Sequence, residues 1–286
     1  MNDTHTHAHE HTHEHGGHAH PHDHHDHTRG HAHHHGHHHH AHGGNILTIR
    51  AHSGLSGDIM LAGLLRMTEL PAEELDVCLA SLMPELARSV TLERREVNGI
   101  GGWHARVDLP HQHEHRTLRD ILTIIESSGL SPHGKELSAR AFTLLARAEA
   151  AVHGKAPEEV HFHEVGALDS ILDLCMSCEL FARLAPARFV VSPLPVADGH
   201  VHCAHGVIPV PAPAVVELMD GVPVRPFAGE GETVTPTAMA LLKALDAEFG
   251  PWPAMRVDRR ALVYGTKVFE NAPNGALFAF GPAEQG

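Results

Sequence analysis

No run of about 18 apolar residues occurs in this 286-residue chain, which excludes a helical membrane span. The first 44 residues lack the apolar stretch a secretory signal needs, so a cytoplasmic protein is expected. Only four cysteines are present, Cys78, Cys175, Cys178 and Cys203, too few to form a disulfide framework in a chain this long. Basic residues are outnumbered: 21 Lys and Arg face 35 Asp and Glu, for a formal charge of −14. That balance argues against nucleic-acid partners, which call for a basic footprint. Aromatic residues make up only 4% of the chain, whereas histidine is abundant.

Of the 33 histidines, 21 fall in residues 1–44, which hold a single methionine as their large apolar content. Such a segment cannot repay the entropy of ordering and is expected to be a disordered, metal-binding tail. Purification tags are usually uninterrupted histidine runs; this one is long, irregular and interleaved with acids. Neutral imidazoles suit nickel, copper and zinc, so the tail points to a divalent transition metal without choosing one. Exchangeable sites on a flexible tract fit buffering or delivery better than catalysis, which needs fixed geometry.

The length suffices for one large domain or two small ones. After a Gly-Gly hinge, "NILTIR" reads as a strand and "HSGLSGDIMLAGLLRM" as a turn into a helix capped by Ser56 or Asp58. "PAEELDVCLASLMPEL" is a helix, and "SVTLERREV" and "GWHARVDL" are strands around "NGIGG". Helices follow from Thr117, over "SPHGKELSARAFTLLARAEAAVHG" and over "ALDSILDLCMSCELFARL". "RFVVSPLPV" reads as one buried strand, "VPAPAVVELMDG" and "TPTAMALLKALDAEFG" as helices opening at prolines, and "RVDRRALVYG" as a strand. The expected fold class is α/β: a mixed α+β body with one central sheet flanked by helices, over 45–265, followed by a short tail at 266–286.

Four stretches carry candidate chemistry. "SGLSGD" (53–58) presents Ser53, Gly54, Ser56, Gly57 and Asp58 between a strand and a helix, where backbone amides favour anions; an ordinary capped turn reads equally well. "HQHEHR" sets His111, His113 and His115 on one side of an extended segment, with Arg116 suited to phosphate or carboxylate; a solvated loop is the alternative. "HFHEVGALDSILD" gathers His161, His163, Glu164, Asp169 and Asp173, with Phe162 as an anchor and Glu164 as a metal ligand or general base. "GHVHCAHG" adds His200, His202, Cys203 and His205, and "TVTPT" offers Thr233, Thr235 and Thr237 at a helix start. Cys175 and Cys178 form a C-x-x-C inside an apolar helix and read as buried structural thiols.

In this order, "SGLSGDIMLAGLL", "HEHRTLRDI", "VHGKAPEEVHFHEVGALDSILD", "SPLPVADGHVHCAHGVIPVPAPAVVELMDGVPV" and "ETVTPTAMALLKAL" resemble the LarC family of nickel insertion proteins, from about residue 47 to 265. The resemblance implies insertion of nickel into pyridinium-3,5-bisthiocarboxylic acid mononucleotide. The product is the nickel-pincer nucleotide used by lactate racemase and related enzymes. It also implies a CTP-dependent cyclometallation, with magnesium or manganese, forming nickel–sulfur bonds and a nickel–carbon bond. On that basis His161, His163, His111, His113, His115 and His205 are candidate nickel ligands. Glu164, His163 and Asp169 are candidate catalytic groups. Ser53, Gly54, Ser56, Gly57, Asp58, Arg116, Thr235 and Thr237 are candidates for holding the nucleotide. The chain departs from its relatives in Arg50, where an acid is usual, in His52, where an aromatic is common, and in lacking after 286 the C-terminal region associated with CTP. A separate C-terminal chain is therefore an expected partner, and a nickel-pincer enzyme the expected recipient. The rival expectation is a non-enzymatic nickel store or metallochaperone. A zinc hydrolase finds no H-E-x-x-H signature.

Overall fold

Short strand-forming runs and amphipathic helices alternate along the chain, and a computed structural model describes them over residues 44–109, 116–162, 167–203, 206–270 and 272–284. Their order is β1 (Asn45–Ala51), α1 (Gly57–Thr68), α2 (Ala72–Leu82), β2 (Val90–Val97), β3 (Ile100–Val107), β4 (Arg116–Thr117), α3 (Leu118–Ser127), α4 (Pro132–His153), β5 (His161–Phe162) and α5 (Leu168–Leu184). There follow β6 (Arg188–Val191), β7 (Leu194–Val196), β8 (Gly199–Cys203), β9 (Gly206–Val210), α6 (Pro213–Glu217), β10 (Val224–Pro226), α7 (Pro236–Ala244), β11 (Glu248–Phe249), β12 (Arg259–Val263) and β13 (Ala276–Pro282). The fold is the mixed α/β body that the sequence pattern predicts, with a seven-stranded sheet in the order β11-β6-β1-β13-β12-β3-β2. The histidine-rich segment lies outside the described residues, Gly44 excepted.

Local chemistry explains several boundaries. The β2–β3 hairpin turns on Asn98 and Gly99, both at positive φ (53° and 76°), and an Asn-Gly turn of that kind matches the twist of paired strands. Helix α4 opens at Ser131, whose hydroxyl accepts from the Gly134 amide, with Pro132 in the first turn. It closes at Gly154, where φ is 62° and the Lys155 amide bonds back to the Ala150 carbonyl. Thr117 and Asp120 cap α3 reciprocally.

Two expectations are corrected. "RFVVSPLPV" is not one strand: β6 pairs with β1 and β11, and β7 pairs with β10. Pro193, between the two strands, has no amide to donate, and the chain leaves the large sheet there. Residues 266–286, expected as a tail, instead supply β13, which runs antiparallel between β1 and β12 near the middle of the sheet. One partner, β12, is the strand just before it, but the other, β1, lies at the opposite end of the folded body, and no local signal announces that pairing.

Helix α1 is buried almost all round, packing on α5, β3, β12 and β13. Gly63 lets it approach the sheet: a Cβ there would lie 2.3 Å from the Phe278 ring. Helices α4, α5 and α7 pack on one another and complete the core. Glu179 locks α5 to the start of α4. Its Oε2 accepts from the Ser131 amide (2.9 Å) and hydroxyl (2.7 Å), and its Oε1 from Arg183 Nε (2.8 Å). Burial pushes the Glu179 carboxyl pKa up, but the bonds from Arg183 and Ser131 outweigh it and leave it below the ordinary value.

Because that pKa is depressed, the Glu179 contribution is complete above the unfolded carboxylate range and is lost as pH falls through the folded value. Glu179→Ala leaves buried donors unpaired and is expected to cost about 3 kcal/mol. Urea unfolding at neutral pH measures this, and a loss under about 0.5 kcal/mol, the usual size of a surface substitution, would count against the lock.

Candidate functional site

Gly54 begins the site. Its φ of 136° suits glycine, and a Cβ there would sit 1.7 Å from the Thr233 carbonyl oxygen. That absence of a side chain lets two loops lie backbone to backbone. The Leu55 amide donates to the Thr233 carbonyl (2.8 Å) and the Thr235 amide to the Leu55 carbonyl (3.1 Å), a short parallel bridge between Leu55 and Val234. One loop leads into α1 and the other into α7, so the two helix N-termini are set side by side.

They open onto a cleft of about 800 Å³. Its walls include Ser53, Gly54, Ser56 and Asp58 from the first loop, Thr233, Thr235 and Thr237 from the second, and Ser170 from the first turn of α5. Phe162, Glu149 and His153 form another side, with Val201, His202, Cys203 and Ile208 from the β8–β9 hairpin. Three helices, α1, α5 and α7, thus present their amino ends to one cavity, and their dipoles favour negative charge there.

The first-turn side chains are tied down. Ser53 Oγ accepts from the Gly275 amide (3.0 Å). Asp58 accepts from Ser56 Oγ, from the Ile59 amide (2.9 Å), and from both the amide (2.8 Å) and hydroxyl (3.0 Å) of Thr266. Thr235 Oγ1 accepts from the Ala238 amide (3.3 Å) and shares a bond with Thr237 Oγ1 (2.7 Å).

Behind this surface lies Asp173. A Cβ on Gly57 would meet Asp173 Oδ2 at 2.5 Å, so the carboxyl packs directly on the start of α1. Its Oδ1 is buried and has no hydrogen-bond partner among the described residues. Burial, and then the charges of Asp58 and Asp169, hold its pKa well above the ordinary carboxylate range. Asp169, four residues earlier, is exposed beside the cleft, so the two acids on one helix face sit in different surroundings.

The structure brings together Ser53, Gly54, Ser56, Asp58, Thr235 and Thr237 from the predicted set, with Gly57 just beneath them. It does not bring Arg116, which is buried in β4 and absent from the described lining. His111, His113, His115, His163, Glu164 and His205 lie outside the described residues, as does the side chain of His161. Among the described residues no three His, Cys, Asp or Glu side chains are grouped closely enough to hold a metal ion. Cys175 and Cys178 are buried, as structural thiols should be; burial pushes the Cys175 pKa up to about 12 and that of Cys178 higher still. Sequence reasoning missed Glu149, His153, Glu232, Thr266, Lys267 and Phe269 on the cleft wall. His153 and Glu232 stand at the edges of stretches quoted for the resemblance, without a ligand pattern of their own, Glu149 stands in none of those, and the last three fall in the stretch expected to be a tail.

A family model described as "Nickel insertion protein" matches residues 47–283. A protein of Geotalea uraniireducens is 41% identical over 230 residues, 80% of this chain and 59% of its own length. A pyridinium-3,5-bisthiocarboxylic acid mononucleotide nickel insertion protein of Nocardioides sp. is 41% identical over 241 residues, 83% of this chain and 60% of its own. One of the same name from Staphylococcus epidermidis is 35% identical over 228 residues, 80% of this chain and 57% of its own. This chain therefore spans about three-fifths of the curated relatives it matches. No solved structure matches it at a significant level. No helix among the described residues is long and apolar enough to cross a membrane.

A raised carboxyl pKa costs stability as pH rises: the unfolded state releases its proton near pH 4 while the folded state keeps it. Asp173→Asn is therefore expected to raise the melting temperature at pH 8, with an advantage that shrinks toward pH 4. Thermal unfolding across that range checks it; a constant difference at every pH would contradict the assignment.

Proposed function

The chain belongs to the nickel insertion protein family, and on that premise we propose that it acts in nickel-pincer cofactor assembly as the N-terminal component of an insertase. Its substrates are nickel and the pyridinium-3,5-bisthiocarboxylic acid mononucleotide that relatives carry in their names. One observation carries the reading: the cleft onto which α1, α5 and α7 open is about 800 Å³, within the range of small-ligand sites, and its polar end suits a phosphate.

In this reading the amides of Ser56, Gly57 and Thr237 and the paired hydroxyls of Thr235 and Thr237 hold the nucleotide phosphate. The apolar wall of Phe162, Val201 and Ile208 receives the ring. Nickel enters as a substrate, gathered by imidazoles of the 1–44 segment and passed to His161, His163 and His205, with His111, His113 and His115 as a relay. The ring carbon that bonds nickel must lose a proton. His163 and Glu164 stand in sequence between Phe162 and Ser170, which both line the cleft, and either is suited to accept it. Asp169, at the exposed start of α5, is a second acid near that end. The CTP-dependent step, with magnesium or manganese, is assigned to the portion of the relatives beyond this match, and a nickel-pincer enzyme receives the product. A cytoplasmic setting follows from that pathway.

The test supplies the full chain with nickel, the bisthiocarboxylate mononucleotide, CTP and magnesium or manganese, with and without the C-terminal portion of a relative, and reads nickelated product by mass spectrometry. Product that depends on both parts is expected, and Glu164→Gln is expected to lower it about 100-fold. Unchanged product in Glu164→Gln removes that residue's role. Tight nickel binding with no product in either mixture would instead make this a nickel store or metallochaperone.

A further inference from the structure

Lys267 is the one lysine or arginine among the described residues that line the cleft. The other charged groups there, Asp58, Glu149 and Glu232, are acidic. An anionic ligand entering this cavity thus depends on helix ends and on Lys267 to offset three carboxyl groups.

The lysine is held by a built surround. Its Nζ donates to the backbone carbonyls of Glu230 (3.0 Å) and Glu232 (3.3 Å) and lies 4.6 Å from the centre of the Phe269 ring. Gly231 makes the room: a Cβ there would fall 2.6 Å from Nζ, and its φ of 81° suits glycine. The next residue back, Thr266, is bonded through amide and hydroxyl to Asp58 in the first turn of α1, and Arg95 donates to the carbonyls of Gly265 and Thr266. On the other side Glu232 leads directly into Thr233, the residue stitched to Leu55. The ammonium is therefore fixed between the two loops that carry α1 and α7 to the cleft. Loss of hydration pulls its pKa below the ordinary lysine value, against the opposing charge of Glu232, and an ammonium that has lost water gains more from an incoming anion.

We propose that Lys267 is the phosphate-recognising cation of this cleft and gives it selectivity for a pyridinium mononucleotide over the corresponding riboside. Two of the three ammonium protons are engaged by carbonyls, which leaves one for the ligand. A phosphate seated at the amides of α1 and α7 lies beside that proton, and its several oxygens suit donors arriving from three directions. This inference rests on the proposed substrate class but not on nickel chemistry.

The test uses the full chain without nickel and three probes: nicotinic acid mononucleotide, nicotinamide mononucleotide and nicotinic acid riboside. Calorimetric titration of the native protein is expected to show both mononucleotides binding at least about tenfold more tightly than the riboside, a difference of about 1.4 kcal/mol. Lys267→Gln is expected to remove that preference without changing riboside binding, and Lys267→Arg, which keeps the charge, to retain most of it. A native protein that does not distinguish mononucleotide from riboside overturns the proposal whatever the variants do. So does an unchanged preference in Lys267→Gln, or an effect confined to the nicotinic acid form, which would place the lysine on the ring carboxylate. Because no probe carries sulfur or metal, failure of nickel insertion leaves this result standing, and the reverse also holds.

Discussion

The backbone stitch between Leu55 and Val234 is the contact on which the rest of the site depends. It joins loops about 180 residues apart in sequence and is possible because Gly54 carries no side chain where the Thr233 carbonyl passes. From it follow the side-by-side placement of the starts of α1 and α7 and the seat of the polar groups on both loops. Helix dipoles act over about one turn, so such an end is useful only if the backbone is positioned this closely.

Around that stitch the protein spends stability on the cleft rather than on its core. Asp173 is pressed against Gly57 with an unpartnered oxygen, beside the carboxylates of Asp58 and Asp169. Asparagine would fill the same space at less cost at neutral pH. Glu179, lower on the same helix, shows the contrast: it is buried and both its carboxylate oxygens are bonded, and its pKa moves the other way. One helix thus carries a structural carboxylate near its middle and a strained one near the cleft, which is how local conflicts distribute in proteins that bind something.

The rear of the loop is braced by arginines. Arg225 donates to the carbonyls of Ala51 (2.9 Å) and His52 (2.8 Å), where β1 runs into the glycine turn. Burial, and then the Arg225 charge, lowers the His52 pKa, favouring a neutral ring there. Arg50 is buried, donates to the Gly250 carbonyl (2.8 Å) and stacks on Trp252, 5.6 Å away. The two residues at which this chain departs from its resemblance are therefore parts of the scaffold that supports the cleft loop.

Much of this was legible in the residues alone. Period and punctuation give the helices, since Ser131, Pro132 and Gly154 act on neighbours within one turn, and Asn98-Gly99 marks its own hairpin. The loop at 53–58 and the threonines before α7 announce helix starts, and their chemistry is that of anion binding wherever they are placed. What the residues could not announce is which of these starts would meet. Thr266 reaches Asp58 across 208 positions, Lys267 depends on a glycine 36 positions earlier, and β13 pairs with β1 across most of the length of the chain. Sequence by itself determined the element types and the donor chemistry, because those arise from local backbone and side-chain preferences. Tertiary structure alone decided that a lysine and three helix ends share one cavity and that an Asp173 carboxyl oxygen is buried while Asp169 is exposed, because those depend on non-local contacts.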